Sequence, residues 1–258
     1  MTTYLDGIIA FHRARAARDI RILGELVRDA SRAEPARGFI GRITDNPALS
    51  VIAEIKRRSP SKGDLATHLD PVALARTYEL AGATCMSVLT DGPHFGGSAE
   101  DLRAARNAVD LPVIRKDFTV DPRDVCDART MGADCVLLIA AVLDDAELSE
   151  CTAVARDVGI DVLVEVHDEA ELDRALAVGA RMVGVNQRDL VTFQVDHERA
   201  VRMGGLIPDS VVKVAESGVR GRSDAESLRR AGYDAILVGE HLVTSDDVAQ
   251  SLREMIVP

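Results

Sequence analysis

The sequence predicts an α/β fold in which eight strand–helix units close into one barrel, the (β/α)8 or TIM-barrel architecture. Eight short, almost continuously apolar runs recur along the chain, and a helical pattern follows each of them. Continuous apolar runs are typical of parallel strands that are buried on both faces. The length of 258 residues also suits one barrel, since such domains often have about 250 residues.

The elements follow from these patterns in chain order. Residues 1–49 precede the first strand, contain one or two predicted helices and form an N-terminal helical extension, whereas residues 50–258 form the barrel. Strands are predicted at 50–56, 85–89, 113–116, 135–140, 162–166, 182–186, 211–215 and 235–238. Helices with apolar residues at three-to-four spacing are predicted at 70–80, 98–109, 121–131, 144–158, 168–178, 196–203, 223–231 and 245–255.

Capping residues support the predicted helix ends. Most of the helices begin with Asp or Ser, which accept hydrogen bonds from the first free amides. Several end in a short phrase around a glycine, such as Gly82 or Gly179, and this phrase is a weak internal repeat. An open, doubly wound sheet is the alternative fold. It usually has fewer strands and a glycine-rich first turn, which this sequence lacks.

Composition excludes disordered, membrane-spanning and broadly nucleic-acid-binding proteins. Hydrophobic residues make up 47% of the chain, enough for a large core. The longest apolar run, 135–143, has nine residues, whereas a membrane span needs about 20. The net charge of 31 − 42 = −11 opposes nucleic-acid binding but permits a small anionic substrate. Acids among the arginines of the first thirty residues argue against a targeting peptide, so we expect a cytoplasmic protein.

Cysteine and histidine spacing predicts neither a disulfide framework nor a metal site. None of the four cysteines belongs to a C-x-x-C pair, so we expect free, buried thiols in a reducing compartment. The six histidines show no H-E-x-x-H or similar spacing. We therefore expect no metal.

Ionisable and amide side chains lie at, or just after, the carboxyl ends of the predicted strands. In barrel enzymes the catalytic groups lie at the carboxyl ends of the strands, so these side chains should converge on one rim. Buried charges are unfavourable by several kcal/mol each unless they are paired, and clustered lysines and glutamates supply general acids and bases. The set consists of Glu54, Lys56, Lys116, Glu165, Asn186, Arg188 and Glu216.

Three further features lie near the same rim, and each has an ordinary structural alternative. Glycines after the last two strands, in residues 217–218 and 239–240, suit either a phosphate site or plain turns. The basic loop 56–63 is either a solvated loop or a mobile lid that touches an anion. Phe95 and Phe118, in βα loops, either fill the core or form a slot for a planar ring.

Taken together, the motifs resemble those of the indole-3-glycerol-phosphate synthase family. They are EIKRRSPSKG at 54–63, RKDF at 115–118, VEVH at 164–167, VNQRDL at 185–190 with TF at 192–193, and AESG at 215–218. Their order and spacing match from about residue 50 to residue 240, and the helical extension is similar too. The resemblance implies that 1-(2-carboxyphenylamino)-1-deoxyribulose 5-phosphate is closed to an indole with loss of carbon dioxide and water. This is the indole-forming step of tryptophan biosynthesis, and the family uses no metal or organic cofactor.

The resemblance also implies a role for each residue. Lys116 would protonate the ketone oxygen, and Glu165 as base and Lys56 as second acid would remove water. Glu54, Asn186 and Glu216 would position hydroxyls and tune the lysines. Arg188 would position either a substrate anion or a catalytic carboxylate. The phosphate would be held by Ser59, Ser217, Gly218 and Gly239. The anthranilate ring would be walled by Pro60, Phe95, Phe118, Leu137 and Leu190.

Two departures and two rival functions qualify this hypothesis. Gln187 replaces a common Asn but points away from Asn186, so little effect is expected. His241 replaces a small serine and adds bulk beside the phosphate. The rivals are a barrel that uses Lys116 or Lys56 as a Schiff-base nucleophile on a sugar phosphate, and a non-catalytic phosphate-binding barrel. We expect a monomer, and association with other tryptophan-pathway enzymes stays open.

Overall fold

The computed structural model describes residues 4–189 and 191–258. Its eight main strands are parallel and close into a barrel, in which each strand pairs with the next barrel strand along the chain and the last pairs with the first. The barrel strands are β1 Ser50–Ile55, β4 Cys85–Leu89, β5 Val113–Lys116, β6 Cys135–Ile139, β7 Asp161–Val166, β8 Met182–Asn186, β9 Val212–Glu216 and β10 Ala235–Val238. The closed sheet confirms the predicted (β/α)8 barrel and excludes the doubly wound alternative. A small hairpin of β2 Arg58–Ser59 and β3 Gly63–Asp64 lies in the loop after β1.

Helices separate consecutive barrel strands along the chain. They are α4 Pro71–Ala81, α6 Ala99–Ala108, α7 Pro122–Met131, α8 Asp145–Val158, α9 Glu169–Ala177, α10 His197–Gly204, α11 Arg222–Arg230 and α13 Val248–Met255. Two predicted starts are wrong. The last helix begins after Asp247, whose side chain accepts from the amide of Gln250, and not at Ser245. Helix α11 follows Gly221 and has no side-chain cap. Two further helices, α5 Gly92–Phe95 and α12 Glu240–Val243, are too short to give a periodic pattern.

The N-terminal extension has three helices, where the sequence predicted one or two. They are α1 Tyr4–Ala16, α2 Leu23–Ala30 and α3 Phe39–Thr44. Helix α3 buries Phe39 and Ile43 in the same cluster as Cys85 and Cys135, which begin their strands. Because the amino ends of all barrel strands face one way, α3 closes that end of the barrel.

On four of the eight barrel strands the inward face changes from apolar to charged as it approaches the carboxyl end. Inside the barrel, Ile52, Ile114, Leu163 and Val214 belong to one buried apolar cluster. Two residues further along the same strands stand Glu54, Lys116, Glu165 and Glu216. Because side chains two apart on a strand share a face, this alternation delivers four charges to one rim. No helix in the described part of the chain is long and apolar enough to cross a membrane.

Candidate active site

One cavity of about 640 Å³ opens at the carboxyl ends of the strands. Of the sixteen residues that the sequence predicts for the site, fifteen line this cavity. The sixteenth, Leu190, lies outside the described residues. The fifteen are Glu54, Lys56, Ser59, Pro60, Phe95, Lys116, Phe118, Leu137, Glu165, Asn186, Arg188, Glu216, Ser217, Gly218 and Gly239.

The charged centre of the cavity is Lys116, at the end of β5. Its Nζ donates to Glu165 Oε2 at 3.0 Å and to Glu216 Oε2 at 2.7 Å. Burial alone would lower the pKa of Lys116, but the charges of Glu165 and Glu216 outweigh it and raise that pKa. The amine is therefore a charged proton donor held in a fixed place, and it is poorly suited to act as a nucleophile.

The two carboxyl groups beside Lys116 differ in protonation. Burial would raise the pKa of Glu165, but the charge of Lys116 outweighs burial, and Asn186 Nδ2 also donates to its Oε1 at 2.9 Å, so the pKa is lowered. Burial raises the pKa of Glu216 to about 7, because Lys116 offsets it only in part and the charge of Glu165 adds to it. Two carboxyls with separated pKa values are the arrangement that general acid–base chemistry needs.

The second charged pair joins Glu54 and Lys56 on β1 and its loop. Lys56 Nζ lies 2.6 Å from Glu54 Oε1, and Ser87 Oγ donates to Glu54 Oε2 at 3.1 Å. This confirms that the two residues share one side of the strand. Gly239 packs closely against the pair, because a Cβ at that position would lie 2.4 Å from Glu54 Oε1.

The four residues predicted to bind phosphate all line the cavity. Ser217 has a left-handed backbone with φ 66°, an uncommon conformation for a residue other than glycine, and Gly218 follows with φ 75°. The buried Oγ of Ser59 finds no hydrogen-bond partner among the described residues. Backbone amides and hydroxyls of this kind suit an anion. His241 also lines the cavity, as the sequence predicted from its place after β10.

Gln187 contributes more than the sequence suggested. It is buried, and its Nε2 donates to the carbonyl of Ser217 at 2.7 Å. Its amide thus supports the left-handed backbone at Ser217. Sequence reasoning missed this contact because it joins two strand ends that are 30 residues apart in the chain.

An apolar wall faces the charged centre. The rings of Phe95 and Phe118 have centroids 6.1 Å apart, and Leu137 and Pro60 line the same cavity. An apolar wall of this kind strengthens charge interactions that form beside it.

Arg188 is a further cation of the cavity lining. Its guanidinium donates to the carbonyl of Phe193 at 3.1 Å and lies 3.6 Å from the carboxylate of Glu240. Lys62, in the basic loop, lies 3.7 Å from the same carboxylate. Glu240 therefore holds two cations at the mouth, and the sequence assigned it no role.

Helix α1 also contributes to the cavity, which sequence reasoning missed. Tyr4, Leu5 and Ile8 line it. On the same helix, His12 is buried, and its Nε2 lies 2.8 Å from Asp91 Oδ2. The contact joins positions 79 residues apart, so no local spacing could reveal it.

Asp91 forms a cluster with His12 and His94. The side-chain atoms of these three residues that could bind a metal ion lie within 4.8 Å of one another. The carboxylate already accepts from both imidazoles and from the backbone amides of His94 and Phe95. These hydrogen bonds account for the cluster as an anchor of α1 on the barrel. The four cysteines, all within the described ranges, are buried and free, as predicted.

The chain is similar to known proteins over most of its length. The family model described as "Indole-3-glycerol phosphate synthase" matches residues 6–255. An indole-3-glycerol phosphate synthase of Kineococcus radiotolerans is 48% identical over 98% of this chain and 95% of its own length. One of Parafrankia sp. is 54% identical over 81% of this chain and 78% of its own. The solved 3-hexulose-6-phosphate synthase of Salmonella typhimurium has a TM-score of 0.62 at 14% identity, over 80% of this chain and 96% of that one; it shares the fold.

Proposed function

The chain belongs to the indole-3-glycerol phosphate synthase family, and from this premise we propose that it is a carboxy-lyase whose acid–base centre is Lys116, Glu165 and Lys56. Its place is the indole-forming step of tryptophan biosynthesis. The substrate is 1-(2-carboxyphenylamino)-1-deoxyribulose 5-phosphate. The observation that carries the assignment is the position of Lys116 Nζ, 3.0 Å from Glu165 and 2.7 Å from Glu216 at the base of an apolar-walled cavity.

The first step is ring closure. The ring carbon that bears the carboxylate attacks the ketone carbon, and Lys116 gives its proton to the ketone oxygen, which becomes a hydroxyl. The positive charge that this leaves on the ring is removed when carbon dioxide departs and its bonding pair returns to the ring. Lys116 suits the donor role because its neighbours keep it protonated and in place.

The second step is loss of water. Lys56 gives a proton to the new hydroxyl, which leaves as water, and Glu165 takes a proton from the neighbouring carbon. Glu165 suits the base role because its pKa is lowered, so that it is ionised at neutral pH. Glu54 Oε1 lies 2.6 Å from Lys56 Nζ and holds it in place. Over the whole reaction, one proton is taken up from solvent, because the substrate carboxylate leaves as neutral carbon dioxide.

Substrate binding uses the remaining walls. The phosphate is held by Ser59, Ser217, Gly218 and Gly239, and the anthranilate ring lies against Phe95, Phe118, Pro60 and Leu137. Two buried atoms have no hydrogen-bond partner among the described residues: Oγ of Ser59 and Oε1 of Glu216. The first is available to the phosphate and the second to a substrate hydroxyl. Arg188, already paired with Glu240, positions a substrate anion.

The proposal extends to the setting of the reaction. We place the enzyme in the cytoplasm, acting as a monomer on a small anionic substrate. Four free, buried thiols support a reducing compartment. A dimer mass in gel filtration would contradict the monomer, and association with other enzymes of the pathway is left open.

The test is direct because the chain has no Trp, so its own emission is weak. Purified enzyme is mixed with the substrate, and the rise of indole emission is followed. Borohydride is added in a parallel reaction. We expect indole formation and no covalent adduct, because a charged Lys116 is a poor nucleophile. A trapped adduct would favour the Schiff-base rival. Binding of substrate without product would favour the non-catalytic barrel.

A further inference from the structure

His167 stands directly behind Glu165 and has no part in the mechanism above. It follows β7 immediately, two residues after Glu165. Glu165 lines the cavity, whereas His167 is absent from the described residues that line it. Only 12% of its side chain is exposed. A buried titratable ring beside a catalytic base calls for a physical account.

The orientation of the ring is fixed by Glu171 on α9. His167 Nδ1 lies 3.0 Å from Glu171 Oε2, and the backbone amide of His167 donates to the same oxygen at 2.8 Å. Glu171 is itself at the amino-terminal turn of α9, where Asp168 caps the helix. The carboxylate thus holds both the backbone and the ring of His167.

The other ring nitrogen faces the base. His167 Nε2 lies 3.6 Å from Glu165 Oε1. It is buried, and within the described ranges it has no hydrogen-bond partner. This distance is too long for a hydrogen bond. It is short enough for two charges to interact strongly where the local dielectric constant is low. Nε2 therefore acts on Glu165 through its charge.

The charged groups around the ring favour its protonated form. Burial and Arg199 on α10 both oppose a proton on His167. Glu171 on α9 and Glu165 on β7 outweigh them and raise the pKa of His167. The carboxylate of Glu165 in turn faces Lys116 on β5, the amide of Asn186 on β8 and the carboxyl of Glu216 on β9. Glu216 is thus the unfavourable neighbour that the cations must overcome.

We propose that the imidazolium of His167, held by Glu171, is a positioning charge that keeps Glu165 ionised for its role as the base. It is needed because Lys116 loses its own charge when it protonates the ketone. From that moment until Lys116 is reprotonated, His167 is the remaining cation in contact range of Glu165 among the groups just named. The inference rests on the proposed function, since it requires Glu165 to be the base.

The test is the acidic limb of the kcat/KM profile against pH, which reports ionisation of the base in the free enzyme. His167→Gln removes the charge at similar size. We expect the acidic limb to shift to higher pH by about one unit, the effect of losing one nearby opposite charge. At pH values above the limb, KM should be unchanged. His167→Lys restores a cation and should return the limb toward its original position.

Glu171→Gln supplies an independent arm, which also serves if the His167 variants fail to fold. Its amide oxygen can still accept from the ring, but the charge that favours the imidazolium is lost, so the limb should move in the same direction. Glu169→Gln, an exposed position on the same helix turn, is the matched control and should leave the profile unchanged.

An equal loss of rate at every pH, or a change in KM alone, would overturn the proposal and leave His167 a structural residue. Failure of the proposed function is distinguishable. If Glu165→Gln kept the full rate, Glu165 would not be the base at all. If Glu165→Gln abolished the rate and His167→Gln left the limb in place, the inference alone would fail.

Discussion

Gly184 on β8 and Glu216 on β9 are packed so closely that a side chain at position 184 would occupy the space of the carboxylate. A Cβ there would lie 2.0 Å from Glu216 Oε1. The glycine therefore lets Glu216 turn inward and reach Lys116 at 2.7 Å. A residue without chemistry of its own sets the position of a residue at the charged centre.

Gly184→Ala tests this relationship. We expect kcat to fall by about two orders of magnitude, because a displacement near 1 Å at a catalytic group has an effect of that size. Folding should be retained by circular dichroism. The matched control is Gly205→Ala, at φ −75° with no described atom within 4 Å of the added Cβ. Normal activity in Gly184→Ala would show that Glu216 tolerates displacement.

Burial of Glu216 predicts a pH-dependent stability. Burial raises its pKa from an ordinary 4.5 to about 7. A carboxyl with a raised folded-state pKa binds its proton more tightly in the folded protein, so the fold loses stability as pH rises through that interval. In Glu216→Gln the side chain cannot ionise, so this variant should lose less stability than the parent protein over the same pH interval. Urea unfolding at both ends of the interval measures the difference. Glu150→Gln, at an exposed position, is the control. Identical slopes for the parent and Glu216→Gln would contradict the prediction.

The anchor between His12 and Asp91 predicts an effect on substrate binding. Helix α1 lines the cavity through Tyr4, Leu5 and Ile8, and His12 is its buried contact with the barrel. His12→Ala should raise KM more than it lowers kcat. It should also reduce stability by about 1–3 kcal/mol, since a partner of the buried Asp91 is removed. Arg18→Ala, an exposed change just beyond α1, is the control. An unchanged KM would show that α1 does not depend on this contact.

His241 predicts a measurable change in phosphate affinity. This half-buried residue lines the cavity after β10, and its bulk would narrow the proposed phosphate site. His241→Ser should increase the affinity for inorganic phosphate, measured as a competitive inhibitor, by less than about tenfold or 1.4 kcal/mol. His68→Ser, at an exposed position outside the cavity lining, should have no effect. Weaker phosphate binding in His241→Ser would instead make the imidazole a phosphate ligand.

Much of this architecture could be predicted from the sequence because its determinants are local. Each barrel strand is an apolar run, and its predicted ends differ from the observed ones by one residue at most. The two-residue alternation also predicts that Ile52, Glu54 and Lys56 share a face. Such patterns need only the strand period.

The remainder depends on closure of the barrel. The contact of Lys116 with Glu216 joins residues 100 positions apart, and that of His12 with Asp91 joins residues 79 apart. No local pattern specifies such pairs. Helix α3 was missed for a different reason: its six residues are too few for a period, and it is stabilised by the barrel end that it covers.

The measurement that tests the account most directly is the rate of indole formation by Lys116→Met beside Lys213→Met. Lys213 is buried, only 14% of the Lys116 side chain is exposed, and both lysines are ion-paired on barrel strands. Lys213, however, contacts Asp209 and the carbonyl of Gly204, away from the cavity lining. We predict that Lys116→Met binds substrate but loses about 10²–10⁴-fold in rate, the contribution of a general acid, and that Lys213→Met keeps the parental rate. A folded Lys116→Met enzyme that closes the ring at the parental rate would contradict the account.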